Sequence, residues 1–90
     1  MKPIKSAQAG TFESSDAIVL IEPMTDSSGR KIEIESAVML QYGENLKSIL
    51  VEILDSYQLT DLHIIIKDKG ALEPVLRARI ETAIERSIQS

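Results

Sequence analysis

The sequence predicts an α+β fold in which about four strands form a small antiparallel or mixed sheet and two helices pack on one face of that sheet. Residues 31–35 alternate strictly between polar and apolar side chains, as a strand with one buried face does. Residues 37–57 and 72–88 instead carry apolar side chains at helical spacing. Two runs rich in β-branched residues, 17–23 and 62–67, supply further strands. The predicted order is β-β-β-α-β-α.

The N-terminal elements are predicted from short patterns. Residues 1–8 are expected to be loosely held, and residues 9–13 to form a short strand that leads into a turn of small and acidic residues at Ser14–Asp16. The strand at 17–23 has apolar side chains on both faces, which predicts a central or doubly covered position. A polar, glycine-containing loop follows it, so we expect a hairpin between this strand and the strand at 31–35.

The first helix is predicted to run from about residue 37 to 57, with Ser36 as its N-cap. Gly43 lies inside it, at a cost of about 1 kcal/mol relative to Ala. Its apolar stripe is Met39, Tyr42, Leu46, Ile49, Leu50, Ile53, Leu54 and Tyr57.

The last strand is predicted to end in a turn at Asp68–Gly70, and the second helix to follow at 72–88. Pro74 falls in the first turn of this helix, where a missing N–H is harmless. Arg77 and Glu81 are spaced to pair at i, i+4. Its buried stripe is predicted to be Leu72, Leu76, Ile80, Ala83, Ile84 and Ser87.

The composition excludes or disfavours several classes of function. Ninety residues predict one domain spanning 1–90, and a net charge of −4 disfavours binding to nucleic acid or to an anionic membrane. The chain has no cysteine, so disulfides and thiolate metal sites are excluded and any thioester chemistry needs an imported thiol. Neither a signal peptide nor a membrane span is visible, so a cytoplasmic location is expected.

The turn Glu13–Asp16 places two serines between two carboxylates, where side chains stay in water. No His, Lys or Cys lies near it in sequence to activate a hydroxyl, and the sole histidine, His63, is far downstream. A chemical role for Ser14 is therefore attachment of a group rather than nucleophilic catalysis. From the residues alone Ser15 is chemically equivalent, while Thr11 is a more hindered candidate.

Separated blocks of the sequence carry a family resemblance. Residues 7–11 and 13–16, and later 68–72 with 77–79, are similar in identity and order to the acyl carrier protein (gamma) subunit of citrate lyase. The resemblance runs from Met1 to the last helix. It implies that Ser14 carries a 2'-(5''-phosphoribosyl)-3'-dephospho-coenzyme A group through a phosphodiester.

The resemblance also implies the function and the partners. In citrate lyase, a hetero-oligomer, the alpha subunit exchanges a carrier-bound acetyl group for citrate. The beta subunit then cleaves the citryl group, so that citrate yields acetate and oxaloacetate. The carrier has no catalytic residues and no metal; its contribution is proximity. A prosthetic-group transferase is a further implied partner. Two alternatives are the carrier subunit of malonate decarboxylase and a non-enzymatic interaction domain without a prosthetic group.

Other candidate residues have competing interpretations. Asp55–Tyr57 resembles the Asp-Ser-Leu motif of phosphopantetheine carriers, but its serine, Ser56, closes a helix here instead of opening one. Ser27 and Ser28 lie in the predicted hairpin loop. His63 alternates with apolar neighbours and is expected to be a partly exposed strand residue rather than a base or metal ligand.

The charged residues in the blocks that resemble the family have two interpretations each. Glu13 and Asp16 either shape the turn and aid solubility or dock on basic groups of a partner. Lys69 belongs either to a strand-to-helix turn or to a contact with phosphates of the prosthetic group or a partner subunit. Arg77 and Arg79 are expected to be solvated or paired with another subunit.

Overall fold

The computed structural model describes residues 1–36 and 39–89, with the helical backbone alone at 39–44. The predicted α+β class and the element order β-β-β-α-β-α are confirmed. The elements are β1 (Ala7–Gly10), β2 (Ala17–Pro23), β3 (Arg30–Ser36), α1 (Met39–Ser56), β4 (Leu62–Asp68) and α2 (Glu73–Ile88).

The sheet has the strand order β1-β2-β4-β3, so β2 is central, as its two apolar faces predicted. β2 pairs antiparallel with both β1 and β4, whereas β3 runs parallel to β4. The predicted hairpin between β2 and β3 is wrong, because β4 lies between them. The loop after β2 passes over the start of β4, where the Met24 N–H donates to the Asp61 carbonyl (2.9 Å) and the Leu62 N–H to the Gly29 carbonyl (3.1 Å).

Side-chain chemistry explains why β4 takes the inner position. Ile64 and Ile66 of β4 are fully buried, and Ile65 on its other face is half-buried, so this strand gains from a neighbour on each side. β3 instead presents exposed charged side chains on its outer face, among them Glu33 and Glu35. Charged side chains suit an edge strand, because they discourage further pairing.

The two helices cover one face of the sheet, as predicted. Val19 and Ile21 of β2 pair in register with Ile66 and Ile64 of β4, and all four belong to the buried core. Ile65, on the opposite face, lies outside that cluster. The helices contribute Leu46, Ile49, Leu50, Ile53, Leu54, Leu76, Ile80, Ala83 and Ile84 to the same core.

The predicted start of α1 adjoins residues 37 and 38, which are outside the described part of the chain. Ser36 is the last residue of β3, and its hydroxyl donates to Asp68 Oδ2 (2.8 Å). The prediction of Ser36 as the N-cap lies outside the described residues. The predicted roles of Met39, Tyr42 and Gly43 lie outside the described side chains. At the other end the helix closes at Ser56, one residue before the predicted end.

The N-terminal segment is tied down rather than loosely held. The Met1 ammonium group donates to the Gln58 carbonyl (3.0 Å), and the Ile4 N–H donates to the Ser87 carbonyl (2.8 Å). Pro3 is buried. Main-chain hydrogen bonds of this kind leave no periodic trace in a sequence. β1 begins earlier than predicted, at Ala7.

α2 begins at Glu73 with Pro74 in its first turn, as predicted. Leu72 precedes the helix and is 73% exposed, so its predicted place in the buried stripe is wrong. Arg77 pairs with Glu73 (3.1 Å) and Glu52 (3.4 Å) rather than with Glu81. A glutamate four residues before a basic residue is the favoured order, since the acid then lies near the helix N-terminus.

Candidate functional site

The acidic turn lies at the end of the sheet where β2 begins and β4 ends. The Asp16 N–H donates to the Glu13 carbonyl (3.2 Å), and Ser15 has a φ of 64°, as the third residue of a type II turn does. Ser14 occupies the first central position of this turn. Its side chain is exposed and makes no hydrogen bond to the described part of the chain.

Two main-chain hydrogen bonds join the turn to the loop that follows β4. The Ser15 N–H donates to the Lys69 carbonyl (2.9 Å), and the Lys69 N–H donates to the Asp16 carbonyl (2.8 Å). Two blocks that lie far apart in the sequence are therefore in direct contact. The Lys69 side chain is exposed and has no ion pair within the described residues.

Asp16 anchors the turn to α2. Its carboxylate accepts a bidentate pair from Arg79, with Nε on Oδ1 and Nη2 on Oδ2, both at 2.9 Å. It also accepts the Thr11 hydroxyl (2.7 Å) and the Ala17 N–H (2.7 Å). Hydrogen bonds from Arg79, and then from Thr11, hold the pKa of Asp16 far below its ordinary range. Bidentate, charge-assisted pairs of this kind are strong and fix orientation.

This network corrects two interpretations. Arg79 pairs within the chain, because Asp16 accepts its Nε and Nη2 N–H groups, although the Arg79 side chain stays 38% exposed. The Asp16 side chain is only 12% exposed, so it shapes the turn and does not present a charge for docking. Glu13 alone keeps an exposed carboxylate at the turn.

Gly10 makes the entry into the turn possible. Its φ is 96°, and a Cβ there would lie 1.8 Å from the Ala17 carbonyl oxygen. No L-residue with a side chain fits such an approach without moving the backbone. Sequence reasoning missed both this close contact and the Asp16–Arg79 pair, because the family-like blocks contain several acids and several bases and no local pattern pairs them.

The chain is similar to known acyl carrier proteins over nearly its whole length. A family of acyl carrier proteins described as malonate decarboxylase delta subunit (MdcD) matches residues 4–87. The citrate lyase acyl carrier protein of Edwardsiella ictaluri is 41% identical over 97% of this chain and 88% of its own length. That of Serratia proteamaculans is 44% identical over 97% of this chain and 84% of its own.

The chain belongs to the citrate lyase acyl carrier protein family. A solved structure shares the fold of the carrier protein: a chain of a Pseudomonas malonate decarboxylase hetero-tetramer in complex with malonate. The TM-score is 0.78 at 26% identity, over 94% of this chain and 87% of that chain.

The other serines that sequence patterns singled out, Ser56, Ser27 and Ser28, lie in different surroundings. The Ser56 hydroxyl donates to the Ile53 carbonyl (2.7 Å) in the last turn of α1. Ser28 Oγ lies 2.7 Å from Thr25 Oγ1 in the loop between β2 and β3, and Ser27 has a φ of 67° there. Neither place resembles the turn that presents Ser14.

His63 is a half-buried residue of β4 that pairs with Glu33 on the neighbouring strand, in line with the prediction of a strand histidine. Within residues 1–36 and 39–89, no cluster of three His, Cys, Asp or Glu side chains could hold a metal ion. No helix among these residues is long and apolar enough to cross a membrane.

We expect the stability contributed by Asp16 to disappear in acid. The unfolded chain protonates Asp16 near its ordinary pKa of about 3.9, whereas the folded chain holds that pKa far lower. The contribution is therefore complete above about pH 4 and is lost as pH falls toward the folded-state pKa. Urea unfolding should show a difference in midpoint between wild type and Asp16→Asn that is large near neutral pH and shrinks below about pH 4.

Glu13→Gln is the matched control, because it removes the same charge from the same turn at an exposed position. Its urea midpoint should follow that of wild type across the whole pH range. An Asp16→Asn difference that stayed constant into strong acid would contradict the role assigned to the Arg79 pair.

Proposed function

We propose that the protein is the acyl carrier (gamma) subunit of citrate lyase, with residues 1–90 as one cytoplasmic carrier domain. Ser14 Oγ is the attachment point of a phosphoribosyl-dephospho-coenzyme A arm. The observation that carries the proposal is an exposed, unengaged serine hydroxyl at the centre of a turn that is held on both sides. Ser15 shares this exposure, and the family resemblance selects Ser14.

The residues around Ser14 suit a covalently attached phosphodiester. The hydroxyl is open to solvent, and the turn contains no His, Lys or Cys, so we expect the transferase to supply the general base. In the attachment step Ser14 Oγ attacks the phosphorus next to the 5′ carbon of a triphosphate precursor. The new O–P bond replaces the bond to pyrophosphate, which leaves, and the hydroxyl proton passes to the transferase.

Lys69 is the proposed cationic neighbour of that phosphodiester. Its main-chain carbonyl is hydrogen-bonded to the Ser15 N–H, and its ammonium group has no ion pair within the described residues. In a protein with a net charge of −4, such a cation offsets part of the repulsion that a further anionic group meets. Arg79 is less suited, because Asp16 already holds the edge of its guanidinium formed by Nε and Nη2.

When attached, the arm ends in a thiol that carries acetyl and citryl groups between the alpha and beta subunits during the cleavage of citrate to acetate and oxaloacetate. The chain itself has no cysteine and brings no catalytic residue to this reaction. Its rigid turn fixes one end of the tether. A tether raises the effective concentration of the acyl group at both active sites to the millimolar range.

The carrier subunit of malonate decarboxylase is the second candidate. The description of the matching family and the 26% identical solved chain favour it, whereas the curated relatives at 41% and 44% identity are named for citrate lyase. The substrate that the reconstituted complex accepts, citrate or malonate, separates the two. A non-enzymatic interaction domain would have no covalent group, so its mass after isolation from the native host would equal that of the bare chain.

We expect co-expression with the prosthetic-group transferase and the precursor synthase to add one coenzyme A-derived adduct to the protein. Peptide mass spectrometry should locate it on the segment that contains Ser14. Ser14→Ala should abolish the adduct, whereas Ser15→Ala, the matched control one residue away, should keep it. An adduct on Ser15 or on Ser56 would refute the assignment.

A further inference from the structure

A groove of about 300 Å³ lies between the two helices and the loop that joins β4 to α2. Its walls are mostly apolar: Leu46 and Ile49 come from α1, Ala71 and Leu72 from the loop, and Leu76 from α2. Leu72 is 73% exposed although it is a large apolar residue. Exposed apolar side chains that line a concave surface mark binding sites more often than isolated ones do.

The groove and the Ser14 turn both contact the loop that joins β4 to α2. The Lys69 carbonyl accepts a hydrogen bond from the Ser15 N–H, and the next residue, Gly70, already lines the groove. Consecutive Cα atoms are about 3.8 Å apart, so the groove begins about one residue away from the bond that holds the turn. A flexible chain attached at Ser14 reaches the groove by folding back over this loop.

The polar groups of the groove indicate the charge of its occupant. Asn45 offers an amide, and Asp68 and Glu73 contribute carboxylates. Asp68 already accepts the N–H groups of Gly70 (3.0 Å) and Ala71 (2.8 Å), and Glu73 already pairs with Arg77. Neither acid therefore needs a cation from a ligand, and no basic side chain among the described lining residues is available to receive an anionic one.

We infer that this groove is a docking site for the acyl end of the protein's own arm and selects a neutral acyl group over one with free carboxylates. The inference rests on the proposed attachment at Ser14. A pantetheine chain ending in a neutral acyl thioester offers apolar surface for the walls and amides for Asn45. An acyl group with free carboxylates meets Asp68 and Glu73 and stays in solvent.

Weak intrinsic affinity is enough for such a site. A short flexible tether keeps its end at an effective concentration in the millimolar range, so a dissociation constant of about 1 mM already gives a large docked fraction. The same weakness lets the arm leave when an active site competes for it. Loading a carboxylated acyl group would release the arm from the groove.

Two alkylating agents of nearly equal shape test the charge selection. The chain has no cysteine, so the arm thiol is the single thiol of the modified protein. Iodoacetamide caps it with a neutral group, and iodoacetate caps it with a carboxylate. In methyl NMR spectra the neutral cap should shift the signals of Ile49, Leu72 and Leu76 away from their positions in the unmodified protein. The carboxylate cap should remove most of that shift.

Variants locate the site. Leu72→Glu adds a charge to an exposed groove position and should abolish the shifts of Ile49 and Leu76 with the neutral cap. Ile4→Glu is the matched control, because Ile4 is also an exposed apolar residue, at 56%, and it lies outside the groove. Its spectra should show the full shift. Ile65, on the opposite face of the sheet, should be unaffected by either cap.

The outcomes distinguish this site from the proposed function. Intact mass shows whether the arm is present, and peptide mass spectrometry shows whether it is on Ser14; an arm found elsewhere or nowhere overturns the attachment and this site with it. An arm on Ser14 whose neutral cap leaves the groove signals unchanged overturns the docking site alone. Equal shifts with both caps overturn the charge selection.

Discussion

We expect Ser14→Ala to abolish citrate cleavage by the assembled complex while the protein remains folded. The Ser14 hydroxyl is exposed and makes no hydrogen bond to the described residues, so its removal should change the free energy of unfolding by less than about 0.5 kcal/mol. The chain has no cysteine that could replace the thiol of the lost arm. The measurement is a reconstitution with purified alpha and beta subunits that compares modified wild type with the variant.

Gel filtration must first show that the variant enters the complex, because the proposed role requires assembly without activity. Ser15→Ala, subjected to the same modification, should retain cleavage. Full citrate cleavage by an assembled Ser14→Ala complex would refute the carrier mechanism. A variant that failed to fold would instead show that the hydroxyl supports the turn.

The largest effect on stability is expected from Ile53→Asp. Ile53 is 3% exposed and packs in the core between α1 and the sheet. An unpaired carboxylate there loses its hydration, and the effective penalty is several kcal/mol per buried ion. A domain of this size is stable by about 5–13 kcal/mol, so most of its stability should be lost. Urea titration followed by far-ultraviolet circular dichroism should show no cooperative transition.

Ile4→Asp is the control for that experiment, since it makes the same chemical change at a side chain that is 56% exposed. It should unfold within about 0.5 kcal/mol of wild type. If Ile53→Asp unfolded at the wild-type midpoint, the assignment of this helix face to the core would be wrong.

The sequence predicted the elements because each leaves a local periodic pattern. The alternation around Ile32 and Ile34 identified β3, and the helical spacing of Leu50 and Ile53 identified α1. The order of strands in the sheet leaves no such local pattern in the sequence. Proximity in the chain favoured a hairpin between β2 and β3, but burial of Ile64 and Ile66 requires β4 between them, and that requirement acts across the whole molecule.

The candidate site divides in the same way. The small, acidic turn at Ser14 could be predicted, because turn chemistry is local. The partner of Asp16 could not be, since Arg79 lies 63 residues downstream and nothing in the pattern distinguishes it from the other basic residues. Leu72 was assigned to the helix stripe by spacing alone, although it precedes the first turn of α2.

The anchoring of the turn from late parts of the chain bears on when the carrier becomes ready for modification. The partners of Ser15 and Asp16 are Lys69 and Arg79, which are synthesised much later. Neither contact therefore exists on a nascent chain that has emerged only as far as α1. Contacts of such long sequence separation form late in folding, because the loop between them must close first. The serine that we propose as the attachment point is therefore presented in this geometry only by a finished molecule. An enzyme that recognises the presented turn would thereby load complete carriers and pass over truncated ones.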